Sequence, residues 1–338
     1  MKKIFITLAA IATLAACSKS QVAYEQTDVI TFTPVAHNIT KSMMAGETFT
    51  TTEQFSVWAY YNPTTEIAAT IDEWVDEYNT ADGSSIYLDE KAFAYDTAYS
   101  LWAGAENAYF WPKVGSLAFA GYHPITADAS YELSATANKM TFENVTNSWV
   151  TSETTNDEDL MYFNLTKGYA RNNVTAVFKH ALSWLTIKVA TTEKTLDAGA
   201  TITVSSVKFT AIEPEGTGTV VNQDPITWAL EGTAGEVETV KTPVELDDTP
   251  ATLKEPLFIP QDMDGNLEIT YTITSDDDSE FTETKVIALN TMKSGETTLS
   301  KWEAAKHYIY NIVISTEEIL IDASVTKWTD VEVPVEVK

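Results

Sequence analysis

Residues 177–189 read VFKHALSWLTIKV, and this stretch decides the fold class. Apolar and polar residues alternate over Val174–Phe178 and again over Trp184–Ala190, and both runs are rich in β-branched and aromatic side chains. A period of two is typical of β-strands with one buried face. The same pattern predicts further strands at Val29–Thr33, Phe55–Tyr61, Leu117–Tyr122, Met140–Phe142, Ile202–Thr210, Leu267–Thr274, Lys285–Leu289, Tyr308–Ser315 and Val325–Trp328. The sequence therefore predicts an all-β protein.

A few segments depart from the strand pattern. Ile67–Asn79 is the single helix candidate, because its apolar residues recur at spacings of three and four. Asp264–Asn266 contains the Asp-Gly pair of a two-residue hairpin turn, and Gly216 and Gly218 mark another loop. The run Asp276–Asp278 is predicted to be a solvated turn between two strands.

The N-terminus has the organisation of a bacterial lipoprotein signal. Lys2 and Lys3 precede an apolar run, Ile4–Ala16, that is too short to span a bilayer. Residues 14–17, LAAC, resemble a lipobox, in which a signal peptidase cuts before a cysteine that carries diacylglycerol. Residues 1–16 are therefore predicted to be a signal peptide, and Cys17, the only cysteine, is the predicted lipidation site. The alternative is a plain secretory signal with a chance cysteine.

The charge of the chain limits its partners. The sequence has 21 Lys and Arg against 49 Asp and Glu, and loss of Lys2 and Lys3 with the signal leaves a net charge of about −30. Nucleic acids and anionic lipid surfaces bind through Lys and Arg, so the sequence predicts neither as a partner. Membrane attachment must then rely on acyl chains at Cys17.

The chain that follows the signal is long enough for two domains. A polar stretch at Lys167–Asn173 separates two strand-rich halves. We expect a linker at 17–28, a first β-sandwich at 29–168 and a second at 169–338. Each sandwich would turn one face of its strands inward.

The sequence offers little for catalysis. Its four histidines are isolated, since none has another His or Cys at a metal-ligand spacing. They are His37, His123, His180 and His307. The alternating polar residues of Asp262–Glu268 do not match an EF-hand loop, because Gly265 comes too early. A nucleophile elbow and a phosphate-binding glycine loop are both missing. We therefore expect no catalytic residues, metal or cofactor, and a glycosidase whose carboxylate pair the sequence does not reveal is a distant alternative.

Aromatic residues make up 11% of the chain, which raises the alternative of a surface that grips glycans. Most rings fall in strand-like patterns and are predicted to lie in the core. These rings are Trp58, Tyr60, Phe110, Trp111, Phe119, Trp184 and Trp302. Tyr95, Tyr99 and Trp102 lie in a less regular region and are the first candidates for an exposed platform.

Several segments occur in an order that resembles the fimbrillin-like family of Bacteroidales lipoproteins, which includes the type V pilins. They are YFWPKVGSLAFAGYHP (109–124), DLMY (159–162), VFKHALSWLTIKV (177–189), PLFIPQ (256–261), and HYIYNIVIS (307–315) followed by VTKW (325–328). The resemblance covers roughly residues 17–330. It implies two tandem transthyretin-like (Greek-key) β-sandwiches, export as a lipoprotein, assembly into fibres by strand exchange, and no enzyme activity.

The resemblance also implies a processing step. In such pilins a protease cuts after a basic residue behind the first strand, which releases the lipidated N-terminus and opens a groove. The matching segment is VITFTPVAHNITKSMMAGETF (29–49), so Lys41 is the candidate cleavage site. The family commonly has Arg at this point, but the only arginine of this chain is Arg171. Either a Lys-tolerant protease acts, or the subunit stays lipidated as an anchor or accessory subunit, or Lys41 is an ordinary loop lysine.

The C-terminus supplies a candidate donor strand, VEVPVEVK (331–338). Every second residue is valine, and polar residues and one proline stand between them, so that one face is apolar. The candidate donor residues are Val331, Val333, Val335 and Val337. Such a strand suits addition to a vacant sheet edge. The alternative is that it completes its own C-terminal sandwich.

Together these features predict a fimbrial or accessory subunit at the outer membrane and cell surface. Its expected partners are other fimbrial subunits of the same or a different kind, the outer membrane through its lipid, and a host surface or glycan. The alternative is a surface lipoprotein that does not polymerise and binds glycan or a host protein through exposed aromatics. Asp96–Ala98 resembles the O-glycosylation motif of Bacteroidetes, so Thr97 is a candidate modification site.

Overall fold

The computed structural model describes a chain that is mostly β-structure. The described residues are 28–36, 49–62, 86–133, 138–147, 159–168, 173–222, 224–240, 242–316 and 319–327. Across these ranges no helix has the length and apolar character needed to cross a membrane. The predicted helix Ile67–Asn79 lies outside them.

The strands of the described residues are numbered in chain order. They are β1 (Phe32–Ala36), β2 (Gln54–Asn62), β3 (Ile86–Asp96), β4 (Leu101–Gly104), β5 (Ser116–His123), β6 (Asp128–Leu133), β7 (Asn138–Thr146), β8 (Met161–Gly168), β9 (Val174–His180), β10 (Ser183–Ala190), β11 (Thr201–Ile212), β12 (Glu215–Val221), β13 (Thr227–Glu231), β14 (Gly235–Val240), β15 (Val244–Glu245), β16 (Ala251–Lys254), β17 (Leu257–Phe258), β18 (Asn266–Thr274), β19 (Glu280–Ala288), β20 (Lys293–Ser294), β21 (Thr297–Thr298), β22 (Lys306–Ile314) and β23 (Ile319–Lys327). The short helix α1 spans Glu193–Asp197, and the side chain of Thr192 caps its N-terminus.

The first sheet is a closed ring of seven strands in the order β1-β4-β3-β2-β5-β8-β9. β1 closes the ring by pairing in parallel with β9 and, at a single residue pair, antiparallel with β4. The interior is packed with phenylalanine rings from several strands. These are Phe32, Phe55, Phe93, Phe119, Phe163 and Phe178. Because the ring is closed, each of its seven strands has a hydrogen-bonded neighbour on both sides and none is an edge strand.

The second half forms a β-sandwich of two sheets packed face to face. One sheet has the order β16-β10-β22-β23, with β17 also on β10, and the other has the order β14-β11-β18-β19, with β15 also on β11. Alternate residues of β11 and β18 point into the core between the sheets, as their buried positions show. Trp302 is buried at its centre and donates a hydrogen bond from Nε1 to the hydroxyl of Tyr310 at 2.7 Å.

A third sheet joins the two halves. Its order is β13-β12-β7-β6, so the central pair β7 and β12 comes from different halves of the chain. The buried face of this sheet packs on a second core that includes Met140, Phe142 and Val220. β5 is buried on both faces, because Phe119 points into the ring and Tyr122 points into this second core.

These sheets confirm the predicted all-β fold of β-sandwich type, and two turn predictions are wrong. Gly216 and Gly218 lie inside β12 rather than in a loop. A Cβ atom on Gly218 would approach the ring of Trp228 to 2.9 Å, so glycine is needed here for close packing. Asp264–Asn266 is not a hairpin, because β17 before it and β18 after it belong to different sheets. The solvated turn at Asp276–Asp278 does connect β18 to β19, as predicted.

The division into two domains stays a prediction. Strand pairing indicates a different position for the boundary between them. β9 follows residue 168 but pairs with β8 and β1 of the ring. A boundary that follows the sheets therefore comes after His180. The chain crosses from ring to sandwich within the two residues between β9 and β10.

Candidate strand-exchange groove

Most of the site residues predicted from the sequence lie outside the described residues. This holds for Cys17, Lys41, Val331, Val333, Val335 and Val337. Their roles stay predictions. The described part of the predicted mechanism is the first strand and the slot in which it lies.

Segment 28–36 is held by hydrogen bonds on both sides. On one side β1 pairs with β9 over the whole of Phe32–Ala36, and the N–H of Val174 donates to the carbonyl of Thr31 at 2.9 Å. On the other side the N–H of Ile30 donates to Tyr109 at 2.7 Å, and the N–H of Trp111 donates to Asp28 at 2.9 Å. The segment is therefore an integral strand of the ring.

The two faces of this segment differ in character. Ile30, Phe32 and Pro34 point inward and are buried, while Thr33 on the opposite face is exposed. The segment ITFTP alternates with a period of two, which is why it folds as a strand with one apolar face. Removal of the segment would leave a slot lined by apolar side chains and bordered by two unpaired strand edges.

Phe32 is the central residue of this slot and is 2% exposed. Its ring centroid lies 4.8 Å from Phe93, 5.3 Å from Phe119 and 5.6 Å from Phe55, each time nearly perpendicular. Phe163 completes the pocket at 6.3 Å. Edge-to-face contacts of this kind are the preferred geometry of aromatic pairs. The sequence placed Phe32 in a strand but gave no sign that four other phenylalanines converge on it.

The described chain resumes after residues 37–48 at a second buried aromatic residue. The ring of Phe49 packs 4.6 Å from Phe178, 5.7 Å from Phe55 and 5.2 Å from the ring of His123. Phe49 is therefore attached to the ring by contacts of its own. Cleavage between residues 36 and 49 would separate β1 from the rest of the chain while Phe49 stays in place.

The predicted aromatic platform is wrong. Trp102 is 7% exposed and packs against Phe49 and Phe55 in the interior of the ring. Tyr95 is half-buried and meets Trp102 edge-on, and only Tyr99 of the three is exposed. The cause is the alternation of β4, which turns Trp102 inward.

The predicted core aromatics are buried with one exception. Phe110 is 39% exposed, although it was predicted to lie in the core. It forms an isolated bridge with Val29, and its carbonyl accepts a hydrogen bond from the hydroxyl of Tyr87 at 2.6 Å. Its backbone is therefore tied to the ring while its side chain faces outward.

Thr97, the candidate modification site, is exposed in the turn between β3 and β4. The N–H of Ala98 donates to the carboxylate of Asp96 at 2.8 Å, which fixes the turn. The hydroxyl-bearing residue thus lies at the tip of a short, ordered connection.

The histidines of the described chain are buried among structural partners. The Nδ1 atom of His123 lies 2.8 Å from the carbonyl of Gln54, and His180 pairs with Asp159. His307 stacks on Trp184 with ring centroids 3.5 Å apart. In the parts of the chain that the structure describes, no three His, Cys, Asp or Glu side chains converge in a way that could hold a metal ion.

The buried Tyr122 keeps its hydroxyl hydrogen-bonded to an exposed carboxylate. The hydroxyl of Tyr122 donates to Glu90 at 2.5 Å. Burial, followed by this hydrogen bond to a carboxylate, raises the pKa of Tyr122 well above its usual value. The group therefore stays neutral and donates at physiological pH.

Comparison with solved structures finds the same fold in several proteins of Bacteroides species. A fimbrial protein from Bacteroides vulgatus aligns with a TM-score of 0.60 and 17% identity, over 88% of this chain and 99% of its own. Two proteins provisionally assigned to cell adhesion align with TM-scores of 0.52. The one from Bacteroides uniformis is 18% identical and covers 90% of this chain and 100% of its own, and the one from Bacteroides ovatus is 14% identical with 90% and 99%.

Sequence comparisons complete the assignment. No curated protein matches the chain. The fimbrillin-like family model matches residues 40–328, which is most of the chain, so the protein belongs to the fimbrillin-like family.

Proposed function

We propose that this chain is a structural subunit of a cell-surface fimbrium that assembles by donor-strand exchange. Membership of the fimbrillin-like family supports a structural, non-enzymatic role at the cell surface. The names of the similar structures, a fimbrial protein and two cell adhesion proteins, point in the same direction. The finer claim, exchange of a strand between subunits, rests on β1.

The observation that carries the proposal is the position of β1. It closes the ring, it bears the central core residue Phe32, and residues 37–48 with the candidate cleavage site Lys41 follow it directly. A cut in that connection leaves β1 held by noncovalent contacts alone. A strand from a second subunit can then replace it.

Exchange is energetically reasonable because the slot is costly to leave empty. Burial of Ile30, Phe32 and Pro34 contributes about 1.5–3 kcal/mol per large side chain. The edges of β9 and β4 would also expose unpaired backbone groups. An incoming strand restores both the hydrogen bonds and the apolar contacts.

The candidate donor of this chain is its C-terminal segment. Val331, Val333, Val335 and Val337 form one apolar face, whose burial would contribute about 6 kcal/mol before the cost of ordering. Pro334 lacks an N–H, which is tolerated in an added strand. The last described residue, Lys327 of β23, lies four positions before Val331.

Anchoring and modification complete the proposal. Acyl chains on Cys17 would hold the precursor in the outer membrane until a protease acts at Lys41. Its partners would be other fimbrial subunits, with a host surface or glycan as the target of adhesion. The exposure of Thr97 supports it as an O-glycosylation site.

The test is the intact mass and N-terminal sequence of the protein recovered from the surface of its native host. We expect a chain that begins at Ser42, carries no lipid and runs as a detergent-resistant ladder. Lys41→Ala should stop this processing, whereas Lys113→Ala, at an exposed lysine in the connection between β4 and β5, should not. A single species still acylated at Cys17 would contradict the polymerising role and favour a monomeric surface lipoprotein.

A further inference from the structure

We propose that the slot filled by β1 selects an incoming strand with a bulky aromatic residue at its centre, so that it accepts a strand from a different subunit and rejects this chain's own C-terminal valines. The inference rests on the proposed strand exchange and names the partner of that slot. It follows from the shape of the Phe32 pocket and from the C-terminal sequence.

The pocket is made for an aromatic ring. Phe55, Phe93 and Phe119 each meet Phe32 nearly at right angles, at 79–84° between ring planes. An aliphatic side chain offers no edge or face for these contacts. Each of the three rings would lose one edge-to-face contact.

The walls of the pocket are poorly able to close over a smaller residue. Phe55, Phe93 and Phe119 come from β2, β3 and β5, which are hydrogen-bonded to one another side by side. All three rings are fully buried, and Phe55 and Phe93 also stack on each other at 5.9 Å. Since interiors are closely packed, a smaller central residue leaves a cavity that costs binding free energy.

The slot also requires apolar residues on either side of the central aromatic residue. Ile30 and Pro34, two residues to either side of Phe32, are also buried. The slot therefore fits a strand that reads aliphatic, aromatic, aliphatic at alternate positions. Thr31 and Thr33 between them tolerate polar side chains.

The C-terminal segment has no register that meets this requirement. If its valines face inward, valine occupies the aromatic position in every register. Trp328 lies on the opposite face of the strand from the valines. If Trp328 took the place of Phe32, Thr326 and Asp330 would take the buried places of Ile30 and Pro34, and Asp330 would bring a charge into the apolar slot. The C-terminal segment of this chain can enter the slot of a different subunit. The slot of this chain requires a donor strand from a subunit with another sequence.

Strand exchange into a nicked but otherwise complete chain tests the inference. A site for a sequence-specific protease replaces residues 40–45, and after cleavage β1 is displaced by fluorescent peptides whose binding is followed by anisotropy and mass. The peptides are residues 28–36, the same peptide with Phe32→Val or Thr33→Ser, residues 329–338, and that peptide with Val333→Phe.

We expect the 28–36 peptide to bind, Thr33→Ser to leave its affinity unchanged, and Phe32→Val to weaken it by about tenfold or more. Val333→Phe should strengthen the 329–338 peptide by a similar factor. If the unmodified 329–338 peptide binds as tightly as its Val333→Phe variant, the selection is refuted while strand exchange stands. If even the 28–36 peptide fails to enter, strand exchange itself is refuted, and the selection with it.

Discussion

The side chain of Asn147 connects the first half of the molecule to the second through hydrogen bonds. It follows β7, is 1% exposed, and donates from Nδ2 to the carbonyl of Glu213 at 2.7 Å. Its Oδ1 accepts from the N–H of Ile259 at 2.9 Å, and its own N–H donates to Pro214 at 2.7 Å. One residue of the first half thus binds two separate segments of the second.

Substitution Asn147→Ala removes two buried hydrogen bonds, one to the carbonyl of Glu213 and one from the N–H of Ile259. The buried N–H of Ile259 is then left without the amide oxygen that accepts its hydrogen bond. Each lost bond contributes about 0.5–1.5 kcal/mol, and an unsatisfied N–H such as that of Ile259 costs about 1–3 kcal/mol. The carbonyl of Glu213 loses less, because it also accepts from Gln261 at 3.2 Å. We expect the free energy of unfolding to fall by about 2–4 kcal/mol.

The assay is equilibrium unfolding in urea, followed by tryptophan fluorescence and circular dichroism. Asn290→Ala is the matched control, because Asn290 is exposed, and it should change the free energy of unfolding by less than about 0.5 kcal/mol. Equal, small effects of the two substitutions would refute the view that Asn147 holds the halves together.

Three further outcomes follow from the packing and from ionisation. Phe32→Ala should lower the free energy of unfolding by about 3–5 kcal/mol, and the exposed Thr33→Ser should leave it nearly unchanged in the same urea titration. Gly218→Ala should destabilise by about 1–3 kcal/mol, because its Cβ would press on Trp228, and a neutral effect would contradict this packing. Burial raises the pKa of Tyr308 to about 12, so the stability that it contributes is complete below pH 10 and is lost as the pH rises towards 12. Urea unfolding at pH 8 and pH 11 should show this loss, and Tyr308→Phe should reduce it.

The strands of the sandwich were the most predictable part of the fold. Ile202–Thr210 was predicted from its alternation, and it lies within β11, where alternate residues are buried in the core. A strand with one buried face has alternating apolar and polar residues, so its own sequence predicts it. Trp184–Ala190 likewise coincides with β10.

Features that depend on distant partners were less predictable. Asp264–Asn266 contains residues that are typical of a hairpin turn. It connects two different sheets instead, because β17 before it pairs with β10 and β18 after it pairs with β11. Gly216 and Gly218 are common turn residues, yet here the small size of Gly218 leaves room for Trp228, and that of Gly216 leaves room for the backbone of Ala229. Local sequence does not say which strand a segment will meet.

The candidate slot shows the same limit. The predicted first strand, Val29–Thr33, includes Phe32, and the structure places β1 three residues later at its start. Its parallel pairing with β9 joins residues that are far apart in sequence, and no local sequence pattern predicts such a pairing. The convergence of rings on Phe32 is likewise a property of the closed ring rather than of any one strand.

The most direct test of the central claim is to lock β1 in its slot and ask whether fibres still form. Thr33 and Thr175 are direct partners on β1 and β9 and both are exposed, so Thr33→Cys with Thr175→Cys offers a disulfide across the pair. In the native host we predict no detergent-resistant ladder from the oxidised double variant, and a normal ladder after reduction or from either single variant. A ladder from the locked, oxidised chain would contradict strand exchange at this slot.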